Sequence, residues 1–163
     1  MRVLVAAASR HGSTTEMAEA IGRTLSAAGL CADVRPIEEV SGLAGYDAAV
    51  LGSGIYVGRW LPQASEFVRA HAASLGELPV WMFSSGPLGS PKPMPEGEPE
   101  EAAELARSID AREHRVFSGK LDRSRLGLGE KIITNVVRAP EGDFRPWKEI
   151  EEWAKGVAGA LAR

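Results

Sequence analysis

The sequence predicts an open, doubly wound α/β fold: a five-stranded parallel sheet in the order 2-1-3-4-5, with helices on both faces. Three observations carry this expectation. Short apolar runs without polar alternation recur along the chain, beginning with Val3-Leu4-Val5-Ala6-Ala7-Ala8, and such runs suit strands buried on both faces. Segments with helical apolar spacing separate them, and that alternation is the mark of βαβ units. Glycine- and hydroxyl-rich segments follow three of the runs, at Ser9, Gly52 and Ser84. Right-handed crossovers line such segments along one edge of the sheet, and ligands bind at the switch point between predicted strands 1 and 3.

The first strand leads from Arg2 into a polar loop at Ser9. A helix from Thr14 to Ala28 follows, with Met17, Ala20, Ile21, Leu25 and Ala28 on its apolar face and Gly29 as its C′ residue. Leu30 to Ile37 is the second strand, closed by Pro36, with Cys31 read as a small apolar residue at its start. Tyr46 to Ser53 is the third strand, and Gly52 to Gly58 is predicted to be a glycine-rich loop. Pro62 opens a helix whose apolar face runs through Ala64, Phe67, Val68 and His71 or Ala72, with Leu75 beyond. Leu78 to Phe83 is the fourth strand, and Ser84 to Ser90 the third loop at a strand end.

Pro91, Pro93, Pro95 and Pro99 mark an excursion from the fold. Glu98 to Ser108 reads as a helix, and Ala111 to Ser118 as a fifth strand at the sheet edge. Leu121 to Val137 is less regular, with an amphipathic stretch from about Gly129. Phe144 to Leu161 is the last helix. Trp147, Ile150, Trp153, Ala154 and Val157 lie on one face of it at core spacing. With no repeat and no linker, residues 1–163 read as one domain.

Composition narrows the function. A chain of 163 residues, 44% hydrophobic and 25% charged, can build a substantial core. A net charge of −3 gives no support for nucleic acid or a polyanionic partner. The single cysteine excludes an intramolecular disulfide and a cysteine metal cluster. His11, His71 and His114 are far apart, so no metal site is expected. No apolar run is long enough to span a bilayer, and Met1 leads directly into a strand, so a cytoplasmic location is expected.

The loop Ser9-Arg10-His11-Gly12-Ser13-Thr14-Thr15 lies between the end of a buried strand and a helix N-terminus. Free amides and the helix dipole favour an anion there. Gly12 permits close approach, and Ser9, Ser13, Thr14 and Thr15 offer hydroxyl donors. The loop holds no lysine, so a phosphate monoester would be met mainly by neutral donors. The competing reading makes Ser13 or Thr14 a simple helix N-cap. A Walker loop and a Gly-x-Gly-x-x-Gly motif are absent. Tyr56 offers an aromatic face for a planar heterocycle, or is a half-exposed loop residue; the offset of Trp60 favours packing. Ser84, Ser85 and Gly86 supply hydroxyl and amide groups to a ligand's other side, or form an ordinary turn.

Taken together, Ser9-Arg10-His11-Gly12-Ser13-Thr14, Gly52-Ser53-Gly54-Ile55-Tyr56 and Ser84-Ser85-Gly86 resemble the flavodoxin family. Three later stretches, Val116 to Asp122, Leu126 to Lys131 and Gly142 to Trp147, resemble its branch containing menaquinone-dependent protoporphyrinogen IX dehydrogenase. The resemblance implies a flavodoxin-like three-layer sandwich and non-covalent FMN. The phosphate would sit at Ser9, His11, Gly12, Ser13 and Thr14. The isoalloxazine would sit between Ser53, Gly54, Ile55 and Tyr56 on one side and Ser84, Ser85 and Gly86 on the other. His11 stands where flavodoxins commonly carry a hydroxyl residue. Gly54 is the expected swivel of a peptide that meets flavin N5. The flavin carries the chemistry, so no catalytic side chain is expected.

Two functions compete at this point. One is an oxidoreductase that oxidises protoporphyrinogen IX and passes electrons to a quinone. The other is an electron carrier with no substrate of its own, serving a redox partner protein. Carriers of this family are typically strongly acidic, unlike this chain. Basic residues from Arg107 to Arg125, with Leu126 to Val137, could meet porphyrin propionates or the inner face of an anionic membrane, although charge runs are most often solvated faces. The glycine-rich loop or an edge strand could pair two copies, which leaves a homodimer open. A phosphoacceptor domain would need an aspartate where Gly52 and Ser53 stand.

Overall fold

The structure is a computed structural model, and it describes residues 1–86, 99–121, 142–143 and 145–163. In chain order the strands are β1 (Arg2–Ala8), β2 (Cys31–Pro36), β3 (Ala48–Tyr56), β4 (Arg59–Trp60), β5 (Val80–Gly86) and β6 (Glu113–Ser118). The main sheet runs β2-β1-β3-β5-β6, every neighbour parallel. This is the predicted order once β4, a two-residue strand antiparallel to the end of β3, is set aside. A second antiparallel pair joins β7 (Lys120–Leu121) to β8 (Gly142–Asp143).

The helices are α1 (Ser13–Ala27), α2 (Pro62–Ala70), α3 (Ala72–Gly76), α4 (Glu100–Ser108) and α5 (Trp147–Leu161). Successive strand residues point to opposite faces, so one run feeds two cores. Leu4, Ala6 and Ala8 pack with Ala64, Phe67 and Val68 of α2, Leu75 of α3 and Leu105 of α4. Val3, Val5 and Ala7 pack with Met17, Ile21 and Leu25 of α1 and Ile150, Trp153 and Val157 of α5. Every side chain from Val3 to Ala8 is therefore buried. Trp153 meets Phe83 and Phe117 edge-on and donates its indole N–H to Glu113 at 3.0 Å.

Several boundaries differ from expectation. The predicted Gly52–Gly58 loop is mostly strand: β3 continues to Tyr56 and turns back into β4 at Val57 and Gly58. Likewise Ser84, Ser85 and Gly86 belong to β5. In both places backbone ladders to neighbouring strands hold residues of low strand propensity in extended form. The helix expected from Pro62, with His71 or Ala72 on its apolar face, ends before His71 (φ −110°, ψ 18°), and Ala72 and Leu75 lie in the separate helix α3. Helix α5 starts at Trp147, because Pro146 disfavours helical geometry at Arg145. Cys31 and Ala28 are exposed. Of the excursion from Pro91 to Pro99 only Pro99 is described, and the amphipathic stretch Leu126 to Val137, with its expected membrane contact, lies outside the described residues. Among the described residues no helix is long and apolar enough to cross a membrane.

Edge strand β2 is tied to its surroundings through Asp33. Its carboxylate accepts hydrogen bonds from Tyr46, Arg2 and Arg35. The Tyr46 hydroxyl, opposed by partial burial and helped by the two arginines, holds the Asp33 carboxyl below the usual range.

Candidate functional site

The first turn of α1 is built to leave donors unused. Gly12 occupies the N-cap in a left-handed conformation (φ 89°, ψ −12°), and no side chain caps the helix. The reading of Ser13 or Thr14 as N-cap is therefore overturned. Gly12 N–H donates to Ser9 Oγ at 2.9 Å, which closes the turn and leaves the Ser9 hydroxyl able to donate in its own right. The first intrahelical bond runs from Glu16 N–H to Gly12 O at 3.1 Å. The amides of Ser13, Thr14 and Thr15 thus have no intrahelical acceptor. Ser13 Oγ is buried and has no hydrogen-bond partner among the described residues. An orphaned hydroxyl beside three open amides, at the positive end of a 15-residue helix, is chemistry that awaits an anion.

The sheet brings the second segment against this turn. Ala8 pairs with Ser53, and Gly54 lies one residue further along β3. A Cβ at Gly54 would lie 3.2 Å from Thr14 Oγ1, so a larger residue would press on the loop. Across the top, the Arg10 guanidinium covers the Tyr56 ring at 4.1 Å from its centroid. His11 is half-buried in the same turn. Gly54 itself pairs with Ser85 inside the sheet, and its φ is not positive. The left-handed residues of this segment are Val57 (φ 51°) and Gly58 (φ 73°), at the hairpin tip.

The third segment contributes less than expected, for a reason of strand parity. Ser84 follows Met82 on the face that packs on α2 to α4. Its hydroxyl is fully buried, accepts from Trp60 Nε1 at 2.7 Å and pairs with His114 Nε2 at 2.6 Å. Ser53 shares that face; its hydroxyl accepts from Leu61 N–H at 3.0 Å and donates to Gly54 O at 2.8 Å. The side chains of Ser53 and Ser84 therefore serve the interior, and the expectation that the Ser84 hydroxyl faces a ligand is corrected. Ile55 is also buried, and Trp60 is a core residue as its offset suggested. Ser85, on the opposite face with Phe83, lies under the turn after β6: a Cβ at Gly119 would meet Ser85 Oγ at 3.1 Å and Gly86 O at 2.1 Å.

One residue was absent from the expected site. Arg145, just before α5, reaches the first turn of α1. Its Nη1 lies 2.6 Å from Glu16 Oε2 and 3.4 Å from the Ser13 carbonyl oxygen. No spacing rule in the sequence links positions so far apart.

A family model described as a flavodoxin domain matches residues 4–145. The chain belongs to the flavodoxin domain family. It is 30% identical over 86 residues to the protoporphyrinogen IX dehydrogenase (quinone) of Escherichia coli K12, covering 52% of this chain and 48% of that protein. The chain thus spans about half the length of the curated relatives it matches. Its fold is shared with a flavodoxin from the domain Archaea (TM-score 0.70, 18% identity) and a mutant flavodoxin from Pseudomonas aeruginosa (TM-score 0.67, 23% identity). Both matches cover 100% of either chain. Flavodoxins are FMN-binding proteins, and the first turn of α1 fits the phosphate end of that cofactor on two counts: the orphaned Ser13 hydroxyl and the uncapped amides.

Proposed function

We propose that this flavodoxin binds FMN non-covalently and works as an oxidoreductase on protoporphyrinogen IX, with a quinone as acceptor. The observation that carries the FMN assignment is the buried Ser13 hydroxyl without a partner among the described residues, set at an uncapped helix N-terminus. Ser9, His11, Gly12, Ser13 and Thr14 would hold the phosphate. The backbone of Ser53, Gly54, Ile55, Ser85 and Gly86, with the Tyr56 ring, would hold the isoalloxazine. Bound FMN supplies the electron-transfer chemistry, and the chain binds and orients it. We read residues 1–163 as one domain.

The substrate assignment rests on similarity to the Escherichia coli dehydrogenase over half of the chain. The carrier reading is favoured by a different observation: the chain matches flavodoxins over its full length but spans only about half of the dehydrogenase. An anaerobic assay separates the two. Porphyrinogen oxidation with a quinone acceptor, faster than with free FMN, supports the enzyme. Flavin reduction by a reductase without porphyrinogen turnover supports the carrier.

A further inference from the structure

Tyr56 stands on a hairpin too short to hold its own position. The β3–β4 turn pairs Ile55 with Trp60 and Tyr56 with Arg59, around the left-handed Val57 and Gly58. A two-stranded ribbon of this kind is marginal without outside support. Two buried serines supply that support from the sheet. Ser53 Oγ accepts from Leu61 N–H at 3.0 Å, and Ser84 Oγ accepts from the Trp60 indole N–H at 2.7 Å. Ser84 Oγ also meets Nε2 of His114, on β6, at 2.6 Å. The Trp60 and His114 rings pack edge-on, with centroids 6.3 Å apart. An indole N–H only donates, so Ser84 keeps its own hydrogen for a second bond, which the His114 tautomer with an unprotonated Nε2 completes. Arg59, on the same short strand, reaches Glu101 at 3.1 Å, but its side chain is 73% exposed and water screens that pair. The buried chain from β6 through β5 to β4 is the stiffer tie.

We propose that the Trp60–Ser84–His114 chain positions the Tyr56 hairpin against the isoalloxazine, with Ser84 as its central positioning residue. The Ser84 hydroxyl faces the interior, so it acts through Trp60 rather than on the cofactor. Without it, the Trp60 indole N–H is buried with no acceptor, and the hairpin moves to recover one. Flavin binding must then order the hairpin again before Tyr56 can meet the ring, and that ordering cost appears as lost affinity. The cost falls at the ring end, so FMN and riboflavin share it equally. The inference rests on the FMN assignment above and adds what holds the ring end of the site in place.

The test compares wild type, Ser84→Ala, Trp60→Phe and His114→Gln by two readouts: FMN and riboflavin dissociation constants from fluorescence quenching, and amide hydrogen exchange of the apo protein. Ser84→Ala should weaken both flavins alike, by about two- to fivefold, up to the worth of one hydrogen bond. Exchange should quicken at Tyr56 to Leu61 and stay slow from Val3 to Ala8, the sign of a local loosening. Trp60→Phe should match Ser84→Ala, and the double variant should be no weaker than either, because all three break one chain. His114→Gln, whose amide oxygen can accept from Ser84, should keep near-wild-type affinity. Unchanged affinities in Ser84→Ala, a loss confined to FMN, or exchange that quickens equally throughout the sheet would each overturn the proposal. If Ser84→Ala fails to fold, Trp60→Phe decides by the same criteria. Failure of the wild type to bind either flavin would strike the FMN assignment itself and this proposal with it.

Discussion

Replacing Ser13 by alanine should move stability and cofactor affinity in opposite directions. Without FMN, the Ser13 hydroxyl is buried and unpartnered among the described residues. Such a group costs about 1–3 kcal/mol of desolvation that alanine does not incur. Alanine is also the better helix former at the start of α1, by a few tenths of a kcal/mol. The apo protein should therefore gain up to about 1–3 kcal/mol. At roughly 2–4 °C per kcal/mol for a chain of this size, that is a rise of several degrees in Tm. With FMN, the same change removes a hydrogen bond to a charged group, worth about 1.5–3 kcal/mol, or roughly 10- to 150-fold in Kd. Thermal unfolding of the apo form by circular dichroism and flavin fluorescence titration measure the two effects. A lower apo Tm together with unchanged FMN affinity would refute the assignment of this hydroxyl to the phosphate.

Three further outcomes follow from the packing. A Cβ at Gly52 would lie 2.2 Å from the fully buried Phe83 ring, so Gly52→Ala should destabilise by about 1–3 kcal/mol in urea titration. Val57 is a β-branched residue at φ 51° and 66% exposed, so Val57→Asn should relieve about 1 kcal/mol of backbone strain and raise Tm. The depressed Asp33 carboxyl should contribute stability that is fully present above its unfolded pKa of about 3.9 and lost as pH falls through its lower folded value. Asp33→Asn should therefore be less stable than wild type at neutral pH, and the gap should close in acid, measured by urea unfolding across pH.

Much of the architecture could be read from residue patterns. The uninterrupted Val3–Ala8 run feeds both cores, and the handedness of βαβ crossovers leaves few sheet orders to choose from. The ends of β3 and β5 could not be read the same way. Gly52, Gly54, Ser84 and Ser85 favour turns locally, and only pairing with neighbouring strands keeps them extended. Misplacing those ends also hid the direction of Ser84, since parity counts only within a strand. Once β5 is extended, its two-residue offset from Met82 turns it toward Trp60 and His114. The phosphate turn was visible in residue types, but the reach of Arg145 to Ser13 and of Arg10 to Tyr56 depends on tertiary packing.

Titrating the purified apo protein with FMN under flavin fluorescence tests the central assignment most directly. Quenching should saturate at about one FMN per chain, as expected for a single site at the switch point of the sheet. Fluorescence that rises in step with added FMN, with no saturable quenching at any excess, would contradict it.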